Sequence, residues 1–215
     1  MKYSIHPQKT PEFTPIQKSL QLIFVSFWIV LTILLMTSFI PLTIALTFYP
    51  WTGYLLAIYM MWIWLDRNTA NTGLKSFARD TLRFNKSWQL ARDYFSGQLV
   101  KTHELDPSRK YIFGYHPHGL LGIALQVNIL LNHNFRKIFP GIDTIIATVS
   151  VSFWIPFWRD YILNLGAISC DPKAVRNCLI NSPKGTALVL ALGGAEEFQH
   201  MDYGTVCSLL TFRWI

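Results

Sequence analysis

Lys110-Tyr111-Ile112-Phe113-Gly114-Tyr115 is an apolar, aromatic-rich run that stops at His116-Pro117-His118-Gly119. The run has the composition of a buried strand. Pro117 fixes its own φ and pushes His116 towards extended geometry, and Gly119 permits a tight turn. The same pattern returns at 186–192 (TALVLAL), which ends at Gly193-Gly194-Ala195-Glu196-Glu197, and at the β-branched stretch 144–151. Between them lie helical patterns: an apolar run at 120–131, and 172–180, opened by Asp171 as a candidate N-cap and Pro172 in the first turn. Phe139-Pro140-Gly141-Ile142 reads as a turn. Strands that alternate with helices imply an α/β fold, in which active groups collect at the carboxyl ends of the strands.

Both strand-end segments carry chemistry. Two imidazoles on a rigid turn suit general-base work near neutral pH, with one of His116 and His118 catalytic and the other bracing the loop. A metal reading of His-x-His lacks a third ligand. Paired glycines at Gly193 and Gly194 let backbone N–H groups face an anion or a developing oxyanion, and a carboxylate beside them can orient an imidazole. A plain turn with exposed acids is the simpler reading of that motif alone. Arg159 is a candidate to hold a substrate phosphate, and an Arg159-Asp160 pair at a helix start is an equal alternative. Lys184-Gly185-Thr186 precedes a strand and lacks the upstream glycine of a phosphate loop. No Gly-x-Ser-x-Gly occurs, so direct base-catalysed transfer is favoured over a covalent intermediate.

Upstream, the chain changes character. Residues 19–65 contain no charged side chain. As one helix they would run about 70 Å, whereas a hydrocarbon core is about 30 Å thick. Breakers at Pro41 and Pro50 to Gly53 suggest two passes, near 20–40 and 44–64. Lys9 and Lys18 precede the segment, and Arg67, Lys75, Arg79 and Arg83 follow it, so a hairpin with both flanks cytosolic satisfies the positive-inside rule. The sequon Asn85-Lys86-Ser87 then faces the cytosol. From Leu74 to Phe95 apolar residues recur every three or four positions, as in a basic amphipathic helix, or two short ones broken near Asn85, that either lies on the bilayer or packs on the surface of the domain.

The whole chain of 215 residues is 51% hydrophobic and only 14% charged, with net charge +7. That excludes a disordered chain or a coiled coil. The basic excess flanks the apolar segment, which fits anionic headgroups better than nucleic acid. Three cysteines imply no disulfide framework. Six histidines forming one cluster do not support a metal hydroxylase or desaturase. Four parts follow: an N-terminal segment (1–18), the hairpin (19–65), a basic interfacial segment (66–110) and an α/β domain (111–215).

The ordered pieces Leu99-Val100-Lys101-Thr102, Tyr111-Ile112-x-Gly114-Tyr115-His116-Pro117-His118-Gly119, Phe139-Pro140-Gly141-Ile142, Pro156-x-x-Arg159-Asp160 and Gly193-Gly194-Ala195-x-Glu197, together with the hairpin, resemble the type-2 diacylglycerol acyltransferase family. This family includes monoacylglycerol and wax-alcohol acyltransferases. The resemblance covers roughly residues 20–200. It implies a two-pass hairpin followed by a glycerolipid-acyltransferase-like α/β domain. It also implies an enzyme of the endoplasmic reticulum membrane that visits lipid droplets and moves a fatty acyl group from acyl-CoA to an acylglycerol or fatty alcohol. Acyl-CoA is then a co-substrate, and no cofactor or metal is expected.

By position, His118 is the expected base with His116 beside it, and Glu197 matches the acidic position. Gly119, Gly193, Gly194 and Arg159 are the expected oxyanion and substrate-binding residues. Membrane lipid is an expected partner, and a homo-oligomer is left open. Tyr94-Phe95-Ser96 stands where the family has Tyr-Phe-Pro. The family also continues beyond the point where Ile215 ends this chain, so an incomplete domain is expected. The alternative expectation is an inactive membrane-anchored paralogue that binds lipid or a full-length partner.

Overall fold

The structure is a computed structural model that describes residues 12–49, 51–72, 77–115, 122–131 and 135–191. It opens with α1 (Pro15–Met36), whose Thr14 hydroxyl and Gln17 side chain form a reciprocal capping box. Val25, Trp28 and Thr32 follow Gln21 at steps of four, three and four, and these four residues form the helix's one buried stripe. Ile16, Leu20, Ile23, Phe27, Val30 and Leu34 are exposed. The buried stripe thus includes two polar residues while the outer face is apolar, the inverse of a helix on a water-soluble protein.

α2 (Phe39–Phe48) and α3 (Trp51–Leu65) continue the apolar segment. The sequence placed the first break at Pro41, but α1 stops at Met36. A proline ring excludes the carbonyl four residues back, here that of Thr37, and is tolerated in a first turn, where its missing N–H has no helical partner. Pro41 therefore sits inside the start of α2 and forces the break upstream of itself. Among the described helices, α1 alone is long and apolar enough to cross a membrane; α3 is apolar but has 15 residues.

After a short α4 (Thr69–Thr72) come α5 (Phe77–Arg83) and α6 (Trp88–Tyr94), two short helices separated around Asn85. Trp88 packs edge-on against both Phe24 and Trp28, and Ala91 is fully buried. The apolar face of α6 therefore rests on α1. Its end is a Schellman turn. Gly97 N–H donates to Arg92 O (2.9 Å) and Ser96 N–H to Asp93 O (3.2 Å), with Ser96 in the left-handed region at φ 50°.

The domain is built on a parallel sheet of four strands in the order β1-β4-β2-β3. These are β1 (Tyr111–Tyr115), β2 (Asp143–Thr148), β3 (Ala167–Ser169) and β4 (Thr186–Ala191). α7 (Ile123–Leu125) runs into a π-helical turn (Gln126–Leu130), and α8 (Phe135–Ile138) leads to β2. α9 (Trp158–Asn164) joins β2 to β3, and α10 (Pro172–Asn181) joins β3 to β4. β4 lies inside the sheet and is covered on both faces, which explains its unbroken apolar run. On one face Ile145, Ile168 and Leu188 meet Cys178 of α10. On the other, Leu165, Val127 and Leu130 meet Val25, Trp28 and Ala91.

The amino ends of the strands are closed by glycines. Gly185 has φ +79°, and a Cβ there would stand 2.1 Å from the Gly141 carbonyl oxygen. Gly185 N–H donates to Arg109 O, and Asp143 N–H to Gly185 O. The Lys184-Gly185-Thr186 sequence is thus a backbone crossing at the sheet's base. Asp171 occupies the N-cap position of α10, but its side chain makes no cap bond; its carboxylate accepts from the Ser169 hydroxyl at 2.8 Å.

Candidate active site

β1 and β4 are neighbours in register, with Tyr115 opposite Ala191. His116-Pro117-His118-Gly119 follows the last residue of β1 in the chain, and Gly193-Gly194-Ala195-Glu196-Glu197 begins two residues after the last residue of β4. The two motifs therefore issue from the carboxyl ends of adjacent parallel strands. His116, His118, Gly119, Gly193, Gly194 and Glu197 themselves lie outside the described residues. Beside those ends, β2 finishes at Thr148 and β3 at Ser169, and the Ser150 and Ser169 hydroxyls are hydrogen-bonded at 2.8 Å.

Arg159 is the one expected site residue whose position is described, and it is 1% exposed. Its guanidinium pairs with the Asp66 carboxylate, donates to the Asp66 carbonyl at 3.0 Å and reaches Asp160 Oδ1 at 3.3 Å. The Trp62 ring lies 5.0 Å from its Cζ. Of the two readings of this residue, the Arg-Asp pair at a helix start is the one the structure displays, and the phosphate reading finds no support in this geometry.

Around the pair, the end of the apolar segment is fastened to α9. The Tyr59 hydroxyl donates to Asp160 Oδ2 and accepts from the Phe157 N–H at 2.9 Å. The two rings stack, with centroids 5.3 Å apart. Phe157 has φ 60°, a costly conformation for a side chain of this size. The Tyr59 contacts hold it there. Burial pushes the Asp66 carboxyl up, but the Thr69 hydroxyl, at 2.6 Å, and the Arg159 guanidinium outweigh it and leave Asp66 below its ordinary value.

Arg83 is a residue that the sequence assigned to the charged membrane flank. It is fully buried. Its Nη2 donates to Thr144 Oγ1 (2.6 Å), its Nε to Leu130 O (3.2 Å), and its Nη1 meets Asp143 Oδ1 (3.4 Å). It ties α5 to β2. The available signal for Asp66 was that it is the first charge after 47 uncharged positions; nothing local in the sequence named Tyr59 or the burial of Arg83.

A family model described as diacylglycerol acyltransferase matches residues 45–213. Human 2-acylglycerol O-acyltransferase 1 is 32% identical over 194 residues, covering 86% of this chain and 56% of that protein. Rat diacylglycerol O-acyltransferase 2 is 34% identical over 183 residues, 85% of this chain and 46% of that protein. Human diacylglycerol O-acyltransferase 2-like protein 6 is 32% identical over 185 residues, with coverages of 85% and 54%. The chain spans about half the length of these curated relatives. No solved structure matches it.

Proposed function

Because the chain belongs to the diacylglycerol acyltransferase family, we propose that it moves a fatty acyl group from acyl-CoA to the hydroxyl of an acylglycerol or fatty alcohol in neutral lipid synthesis. The observation that carries this reading is the pairing of Tyr115 with Ala191. It starts the histidine and diglycine segments side by side at the carboxyl edge of the sheet, where α/β enzymes assemble their sites.

In this mechanism His118 takes the proton of the acceptor hydroxyl, with His116 beside it and Glu197 orienting the imidazole. The oxygen attacks the thioester carbonyl, and the C–S bond breaks. Backbone N–H groups at Gly119, Gly193 and Gly194 stabilise the oxyanion, and the CoA thiolate leaves with the proton returned to it.

The reading also makes the protein a membrane enzyme of the endoplasmic reticulum, with access to lipid droplets. The exposed apolar face of α1 supports a bilayer contact. Exposed aromatics at both ends of α3 support it too: Tyr49, Trp51 and Tyr54 at one end, Trp62 and Trp64 at the other. Such rings favour the headgroup level. In this reading the apolar segment dips into the bilayer and returns with both flanks cytosolic, the outer face of α1 meeting lipid while its buried stripe stays on the domain.

The test is labelled acyl transfer in microsomes of yeast unable to make neutral lipid, with His118→Ala alongside. Loss of a general base costs about 10²–10⁴-fold in rate. Product from a stably expressed chain that does not depend on His118 overturns the assignment.

A further inference from the structure

A cavity of about 180 Å³ lies between α1 and the carboxyl half of the sheet. Thr32 and Met36 of α1 form one wall, Trp158 and Ile162 of α9 another, and Ile146 and Thr148 of β2 the floor. Gly122 closes one side. In the chain Gly122 lies three residues beyond Gly119, so the cavity borders the point where the histidine segment rejoins the described fold.

The chemistry of the lining selects its occupant. No charged side chain lines it. A CoA phosphate, a free carboxylate or a phospholipid headgroup would be desolvated there without a charged partner. The lining is chiefly hydrocarbon, its polar side chains being Thr32, Thr148, Gln126 and the indole of Trp158. Met36 is exposed, so the cavity meets the molecular surface at the end of α1, on the helix whose outer face is apolar.

We propose that this cavity binds the carboxyl-proximal part of a fatty acyl chain, which threads from the strand ends at Thr148, between α1 and α9, and out past Met36. Its volume is that of roughly six water-sized groups at about 30 Å³ each, and a methylene is of similar size. It therefore holds a short stretch of a long chain, and the remainder runs along α1. The inference rests on the acyl-transfer reading for the identity of the lipid, and it adds the site and the path.

The full chain in phosphatidylcholine nanodiscs is photolabelled with two acyl-CoA probes. One carries a diazirine near about the sixth carbon, the depth the cavity volume allows, and the other carries it at the chain end. The first is expected to label Thr32, Met36 and α9. Ala167→Phe fills the cavity from β3, and Met36→Trp blocks its rim. Each is expected to cut that labelling about tenfold, the factor that ~1.4 kcal/mol produces. Ile33→Trp, on the exposed face of α1, is expected to leave it unchanged. Should Ala167→Phe fail to fold, Met36→Trp decides, since its site is exposed. Labelling spread over Ile23, Phe27 and Ile33, and indifferent to Met36→Trp, overturns the proposal. Cavity labelling in a chain that transfers no acyl group upholds the site and overturns the transfer reading. His118-dependent transfer with labelling elsewhere overturns the site alone.

Discussion

Arg159 at the start of α9 pairs with Asp66 just past the end of α3, 93 positions earlier in the chain. The guanidinium is buried, while the Asp66 side chain is partly exposed. Removing a partner from a buried charge costs about 3–5 kcal/mol. Asp160 remains within reach of Arg159, so Asp66→Ala is expected at the lower end of that range, read as a loss of melting temperature in nanodiscs. Arg159→Met on the Asp66→Ala background should recover part of it. The pH dependence has a definite sign. The Asp66 carboxyl sits below its ordinary value in the fold, so its contribution is complete above about pH 4 and is lost as the pH falls further. An Asp66→Ala protein as stable as the parent at pH 7 would refute the anchoring role.

Gly185→Ala tests the base of the sheet. A Cβ at φ +79° costs about 1–2 kcal/mol, and here it also meets a backbone oxygen that cannot yield. A loss of at least ~2 kcal/mol is expected in chemical denaturation. An unchanged midpoint would show that the crossing at Gly141 is not rigid.

Ser96 occupies the left-handed position of the Schellman turn that ends α6. Ser96→Gly should stabilise the protein by about 1 kcal/mol. Ser96→Pro removes the N–H that bonds Asp93 O and cannot adopt a positive φ, so it should cost more than ~1 kcal/mol. Proline tolerated at position 96 would show that the turn is dispensable.

Asn85 reports topology. It lies in the break between α5 and α6, and its side chain accepts from the Ser87 N–H at 2.9 Å. With both flanks cytosolic, the sequon stays unmodified in microsomes. A glycosidase-sensitive mass shift there would place this flank in the lumen and refute the hairpin topology.

What the sequence disclosed follows the range of the interactions involved. Local signals sufficed for α10, opened by Asp171-Pro172, for the buried run of β4, and for the interruption near Asn85. β3 has three residues after Gly166, too few to show a period. Arg83 lay on the charged side of a helical wheel because a wheel cannot contain Thr144 and Asp143, the partners that bury it. Arg159 was noticed for its charge, but Asp66 and Tyr59 reach it only through the tertiary fold. The break after α1 was misplaced for a different reason: proline disrupts the turn before itself, and Thr37, not Pro41, marks the spot. The histidine and diglycine motifs were read from their residue types at strand ends and from the family resemblance. The fold contributes the register of the strands they follow.

Three side chains of the apolar segment fasten to one short stretch, residues 156–161. Trp28 Nε1 donates to the Tyr161 hydroxyl (3.2 Å), Ser38 Oγ to Pro156 O (2.6 Å), and the Phe157 N–H to the Tyr59 hydroxyl (2.9 Å). A segment secured at three points has no swivel against the domain it is fastened to. The sheet must keep one height and one tilt relative to the apolar outer face of α1. Whatever displaces the apolar segment therefore carries the carboxyl edge of the sheet with it.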